Sequence, residues 1–123
     1  MAPITDMVTG YLGIRGGSGL PRYFMYEEWQ SRMGKSLWEA KDKYLASSAI
    51  VEADKIHTPL LIWHNDKDEA VAYEQGRALY LAMRRLQRPA WHLNYKGEGQ
   101  FLGNQAAQKD WTIRMIQFFD YYL

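Results

Sequence analysis

A continuous apolar run, Pro59-Leu60-Leu61-Ile62-Trp63, passes directly into His64-Asn65-Asp66-Lys67-Asp68-Glu69, an acidic and turn-forming stretch. A strand that opens into such a loop delivers carboxylates to the carboxyl end of a sheet, where open α/β folds place their chemistry. A carboxylate in that position can accept a hydrogen bond from an imidazole, fixing its tautomer and stabilising its charged form. On the residues alone, Asp68 reads equally as such an acid or as a turn residue beside Asp66. The groups it would work with are not obvious. His57, His64 and His92 are the histidines, and each reads as a packing or surface residue. No two of them have the i, i+4 helical spacing of a zinc site. Ser18, in Gly16-Gly17-Ser18-Gly19-Leu20, has the wrong glycine spacing for a G-x-S-x-G nucleophile elbow, and no such motif occurs in the sequence. It reads as a turn residue. Cysteine is absent, which excludes disulfides, thiolate nucleophiles and thiolate zinc sites together. No metal or cofactor is expected.

The elements that would position Asp68 follow from the hydrophobic pattern. Leu60 to Trp63 form a short apolar run, as expected of a strand covered on both faces. Leu79, Ala82, Met83 and Leu86 recur at i, i+3, i+4, i+7, predicting a helix over 73–86 with one buried stripe. Pro89 ends the connection, and residues 91–95 read as a second strand. Strand, helix and strand at this spacing predict a right-handed parallel βαβ unit. The Gly-Glu-Gly step at 97–99 breaks the second strand, and Glu98 within it reads as a solvated turn residue. A last helix runs from about Gln105 to the C-terminus, with Trp111, Met115, Phe118, Phe119 and Tyr122 on a wide apolar face that must be packed.

The first 58 residues are less regular. Residues 1–22 hold Gly10, Gly13, Gly16, Gly17 and Gly19 with Pro3 and Pro21, predicting irregular backbone after a short strand at 3–7. Met25, Trp29 and Met33 recur every fourth residue and predict a helix over 23–33, stopped at Gly34. Ser36 and Glu39 have capping-box spacing, the serine hydroxyl placed to accept from the Glu39 amide and the carboxylate to bond back. A second helix is therefore expected from 36 towards 44, broken at Ala46-Ser47-Ser48, with a connecting helical turn over 50–56.

Composition limits the function. A chain of 123 residues suits one core, and 47% hydrophobic with 24% charged residues suits a folded, soluble domain. Fifteen basic against 14 acidic residues give a net charge of +1, no field for holding a polyanion, so nucleic acid is not an expected partner. Arg84, Arg85 and Arg88 cluster at the end of a predicted helix, where cations suit the macrodipole. MAPITDMVTGYLG has no basic region followed by an apolar run, and no segment approaches the ~20 apolar residues of a membrane span. No signal peptide or membrane association is expected, and the location is cytoplasmic by default.

In order along the chain, GYLGIRGGSGLPRYFMYEEWQSRMG (10–34), SLWEA (36–40), KIHTPLLIWHNDKDEAV (55–71), YEQGRALYLAMRRLQRP (73–89), WHLNYKGEG (91–99) and KDWTIRMIQFFDYYL (109–123) resemble the C-terminal half of the catalytic domain of the prolyl oligopeptidase family (S9) of serine peptidases. The resemblance implies an α/β fold: a single partial α/β-hydrolase domain over 1–123, with the C-terminal strands and helices only, a small parallel sheet flanked by helices. It implies peptide hydrolysis by Ser, Asp and His in that chain order. Asp68 matches the triad acid. The family histidine follows Gly-Glu-Gly, and this chain has Gln100 there. An amide has no pKa near neutrality, so Gln100 can neither take nor return a proton. The family's nucleophile elbow precedes the matched segment. Asn65 stands where many relatives have glycine and Ala72 where many have proline, so the Asp68 loop is expected to be looser than a working site requires.

These features give three expectations. The chain is a truncated or degenerate hydrolase half, inactive alone; or it is one part of a split hydrolase completed by a partner chain carrying the serine; or it is a non-catalytic interaction module. Fourteen tyrosines and tryptophans suit the last reading, since such residues dominate contact energies. The resemblance further implies that, in the family's sheet order, these strands lie at one end and leave an open edge, from which a homodimer is expected. A peptide substrate is implied by the resemblance alone.

Overall fold

In the computed structural model, which describes residues 2–123, the N-terminal residues depart from the predicted strand. Asp6 caps a helix, α1 (Met7–Leu12): its Oδ1 accepts from the Val8 N–H at 2.9 Å and its Oδ2 from the Thr9 hydroxyl at 2.7 Å. Capping satisfies a first-turn N–H, whereas an extended segment at 3–7 would have no strand beside it. The glycine-rich stretch is also more ordered than expected. β1 (Ile14–Arg15) and β2 (Leu20–Pro21) form an antiparallel hairpin whose turn uses Gly19 at φ +68°.

α2 (Tyr23–Glu27) stops short of the predicted 33, and beyond it Arg32 at φ +47° and Gly34 at φ +79° turn the chain. Met33 is still buried, its N–H donating to the Tyr26 carbonyl at 2.9 Å, so the apolar spacing survives without the helix. α3 (Lys41–Ala46) starts later than the capping-box spacing suggests. The Ser36 hydroxyl donates to the Glu39 carboxylate instead of accepting from the Glu39 amide, which bonds the Ser36 carbonyl at 3.2 Å in a turn. α1, α2 and α3 enclose a tyrosine-rich core of Met7, Tyr11, Tyr26, Met33, Leu37 and Tyr44. A 3-10 turn, Ala53–Lys55, leads out of it.

The central unit forms as the spacing predicts. β3 (Leu60–Trp63) and β4 (Ala90–Leu93) pair in parallel, Leu60 opposite Ala90 and Trp63 opposite Leu93, with α4 (Glu74–Arg85) between them in sequence. Leu79 and Met83 of α4 are buried against Ile62, Ala53 and Ala90, while Leu86, one residue past the helix, is exposed. Gln75 fastens this unit to the N-terminal helices. Its Oε1 accepts from the Thr5 and Asp6 N–H groups at 2.9 and 2.8 Å, and its Nε2 donates to the Thr9 hydroxyl at 2.8 Å.

α5 (Gln105–Tyr122) is capped by Asn104 and crosses the outer side of the sheet. Trp111 packs on Trp63 at 5.2 Å between ring centroids, and Phe118 on Trp91 at 5.7 Å. The expected packing is met on one side only. Ile113, Ile116, Phe119, Tyr121 and Leu123 are exposed. No helix among the described residues is long and apolar enough to cross a membrane.

Candidate functional site

The carboxyl ends of β3 and β4 open into two loops that lie side by side. The first carries Asp68, whose side chain is only 1% exposed. Its Oδ1 accepts from the Ala70 and Val71 N–H groups at 2.8 and 2.9 Å, a geometry that holds the carboxylate at one angle. Its Oδ2 is buried and has no partner among the described residues. A desolvated carboxylate oxygen left without a donor is costly. The hairpin braces the same loop: the Gly17 N–H donates to the Glu69 carbonyl at 3.2 Å, and Arg22 donates to that of Ala70.

His64 supports this loop from beneath. It is buried, and its Nδ1 accepts from the Gly76 N–H at 3.2 Å, which puts the ring proton on Nε2 facing the Val71 carbonyl at 3.1 Å. Asp68 Oδ2 lies 3.6 Å from that nitrogen, beyond hydrogen-bond length. With both nitrogens occupied and no solvent access, His64 has no route to a substrate. His57 is exposed. His92 lies in β4 between Tyr73 and Tyr80 at 5.4 and 5.7 Å, and its Nε2 is buried without a partner. Burial lowers its pKa, and the nearby His64 adds to the effect. Ser18 sits exposed in the hairpin turn, its hydroxyl accepting from the Leu20 N–H at 3.4 Å. The histidines and Ser18 thus take the packing, surface and turn roles expected of them.

The second loop, after β4, carries Gln100. Asn65 Oδ1 accepts from the Tyr95 N–H at 2.9 Å and from Trp63 Nε1 at 3.0 Å, while its Nδ2 donates to the Gly99 carbonyl at 2.8 Å. Asp66 accepts from the Gly97 N–H at 2.9 Å, and the Lys67 N–H donates to the Glu98 carbonyl at 3.3 Å. Glu98 is no idle turn residue: its carboxylate accepts from the Gly103 and Asn104 N–H groups and so ties the loop to the start of α5. Tyr95 completes the anchorage by donating to Asp110 at 2.8 Å, and burial first, then Asp110, pushes its phenol up to about 12. Gln100 is half-buried between the held Gly99 and the exposed Phe101, and it does not reach Asp68 Oδ2.

The expectation of a loose Asp68 loop is therefore corrected. Asn65, 1% exposed, uses its amide to close the space a glycine would leave, and the Ala72 carbonyl accepts from the Gln75 N–H at 3.0 Å to start α4 without proline. Sequence reasoning missed the roles of Asn65, Glu98 and Gln75. An amide beside a strand end facing a second loop was the available signal. The residues brought together hold the Asp68 carboxylate next to a tethered loop that carries Gln100. Among the described residues no cluster of three or more histidine, cysteine, aspartate or glutamate side chains forms a metal site.

A model of the prolyl oligopeptidase family matches residues 2–123. A protein of Aspergillus clavatus described as a probable dipeptidyl-peptidase 5 is 26% identical over 102 residues, covering 81% of this chain and 14% of that protein. An acylaminoacyl peptidase solved in complex with Z-Gly-Gly-Phe-chloromethyl ketone superposes with a TM-score of 0.74 at 17% identity, over 95% of this chain and 18% of its own. Dipeptidyl peptidase 4 of Porphyromonas gingivalis gives 0.65 at 20% identity, over 76% of this chain and 13% of its own. The chain thus spans less than a fifth of the length of these relatives. Its parallel strand pair with flanking helices is part of an α/β-hydrolase fold, and the chain belongs to the prolyl oligopeptidase family.

Proposed function

We propose that this chain forms the acid-bearing part of an S9-type hydrolase and is catalytically inactive by itself. The observation that carries the reading is the pairing of a held Asp68, its buried Oδ2 unpartnered, with a loop that presents Gln100 where the family has histidine. Asp68 takes the triad-acid position in this reading. Peptide hydrolysis needs a base that takes the nucleophile's proton and returns it to the leaving amine, and a carboxamide does neither. No G-x-S-x-G lies within the 123 residues. Treating the purified chain with a fluorophosphonate probe should give no covalent adduct by mass, and Gln100→His alone should restore no turnover, since an imidazole without a nucleophile has nothing to activate. Stoichiometric labelling of Ser18 would overturn the reading.

A second reading, a split hydrolase completed by a partner chain, draws support from the same unpartnered Oδ2, whose acceptor capacity is unused. Labelling that appears only when a partner bearing G-x-S-x-G is added would establish it. The exposed apolar faces of α2 and α5 support a further proposal, that the chain associates as a homodimer. A non-catalytic role in binding other proteins would use those same faces.

A further inference from the structure

The two loops of the site are joined rung by rung through the residues just before Asp68, and one rung differs from the others. Asp66 and Lys67 each make a single bond to the 97–99 turn, whereas Asn65 grips both ends of the 95–99 segment with one amide, Tyr95 N–H at 2.9 Å and Gly99 C=O at 2.8 Å. Its own carbonyl accepts from the Asp68 N–H at 3.3 Å. A single buried residue is thereby bonded to the acid's backbone on one side and to the residue preceding position 100 on the other. Both of its side-chain polar atoms are engaged in a dry environment, where breaking such bonds is expensive, so the loop cannot drift from the acid without leaving buried groups unpaired.

We propose that Asn65 is a positioning residue: its amide fixes Gly99, and with it the backbone entering residue 100, relative to the Asp68 loop, so that an N–H donor carried at position 100 is directed to the unpaired Oδ2. The inference rests on the reading of Asp68 and residue 100 as the acid and histidine positions. Holding the two groups by a buried clamp removes the orientational freedom that would otherwise separate them. A glycine at position 65 offers no amide and leaves the second loop to Asp66 and Lys67 alone.

The test places an imidazole at position 100 and reads its titration by nuclear magnetic resonance. In Gln100→His the new ring should titrate about one unit above the ordinary histidine value near 6.5, a tenfold gain in proton affinity from the adjacent carboxylate. Adding Asp68→Asn should remove the shift, and adding Asn65→Ala should remove most of it while circular dichroism stays unchanged. The charges of Asp66, Lys67, Lys96 and Glu98 are the same in every variant and form a constant background. A shift that needs Asp68 but survives Asn65→Ala overturns the positioning role alone. A titration indifferent to Asp68→Asn overturns the assignment of the two positions and the proposal with it. Should Asn65→Ala fail to fold, hydrogen exchange in the unsubstituted chain decides: slow exchange at the Tyr95 amide, bonded to Asn65 Oδ1, supports the clamp, and exchange at the free-peptide rate overturns it.

Discussion

At Gly76 a side chain has no space, since a Cβ built there would lie 2.6 Å from His64 Nδ1 and 2.8 Å from His64 Cβ. His64 in turn holds the Val71 end of the acid loop. Gly76→Ala should therefore cost about 1–3 kcal/mol in urea unfolding, as overpacking does, despite the better helix propensity of alanine. His92 gives the residue-scale pH dependence. Because burial lowers its pKa, the folded chain binds fewer protons at this site than the unfolded chain does in the window just below 6.5. Its contribution to stability is complete above that value and is lost as pH falls from there through the lowered native value. The urea midpoint should drop between pH 7.5 and 5.5, and His92→Phe should reduce the drop. An equal drop in the variant would assign it to other groups. Asp68 was legible at this scale because strand, loop and helix are written in consecutive residues, whereas the Asn65 clamp reaches across 30 and 34 residues to Tyr95 and Gly99 and left no local pattern.

Between elements, Gln75 carries more than its surface-like residue type suggests. It is 6% exposed, and its Oε1 is the acceptor for two backbone N–H groups at the entry to α1. Gln75→Ala leaves the buried Thr5 N–H unpaired, so a loss of about 1–3 kcal/mol is expected, with faster hydrogen exchange over residues 5–9 than elsewhere. Uniform acceleration across the chain would mean that Gln75 does not fasten one particular joint. At α5, Asn104 Oδ1 accepts from the Ala106 and Ala107 N–H groups at 2.8 and 3.3 Å. Asn104→Ala should cost about 1 kcal/mol in thermal or urea melts. The Glu98 bond to the backbone N–H of residue 104 survives that change, so the loop that carries Gln100 should stay tied to α5.

For the whole molecule, the uncovered apolar surface is the dominant feature. Trp29 is 66% exposed, Trp38 63%, Tyr121 81% and Leu123 98%, and α5 leaves Ile113, Ile116 and Phe119 uncovered among its outward polar residues. Large apolar side chains left in water on a helix favour association with a partner surface, and an open strand edge on β3 invites pairing. Light scattering at micromolar concentration should report a dimer or larger species, joined through a contact exceeding about 2,000 Å² if it is obligate. Ile116→Lys, on the outer face of α5, should weaken it. A stable monomer, unaffected by that substitution, would remove self-association from the account.

The sequence by itself determined the central βαβ unit, the place of Asp68 at the end of its first strand, the glutamine at position 100 and the family. Those are carried by contiguous periodicity and by residue identity, which need no partner to be read. The short N-terminal helices, the ordered hairpin and the tight acid loop were decided by the tertiary structure. In each case a bond between distant residues settled a locally ambiguous segment: Thr5 to Gln75, Gly17 to Glu69 and Asn65 to Gly99. Local propensity is weak where helices are only five or six residues long, so long-range contacts set their ends. The packing of α5 followed the same rule: its sequence offers a wide apolar face, and the strands β3 and β4 cover Trp111 and Phe118 while Phe119 stays exposed.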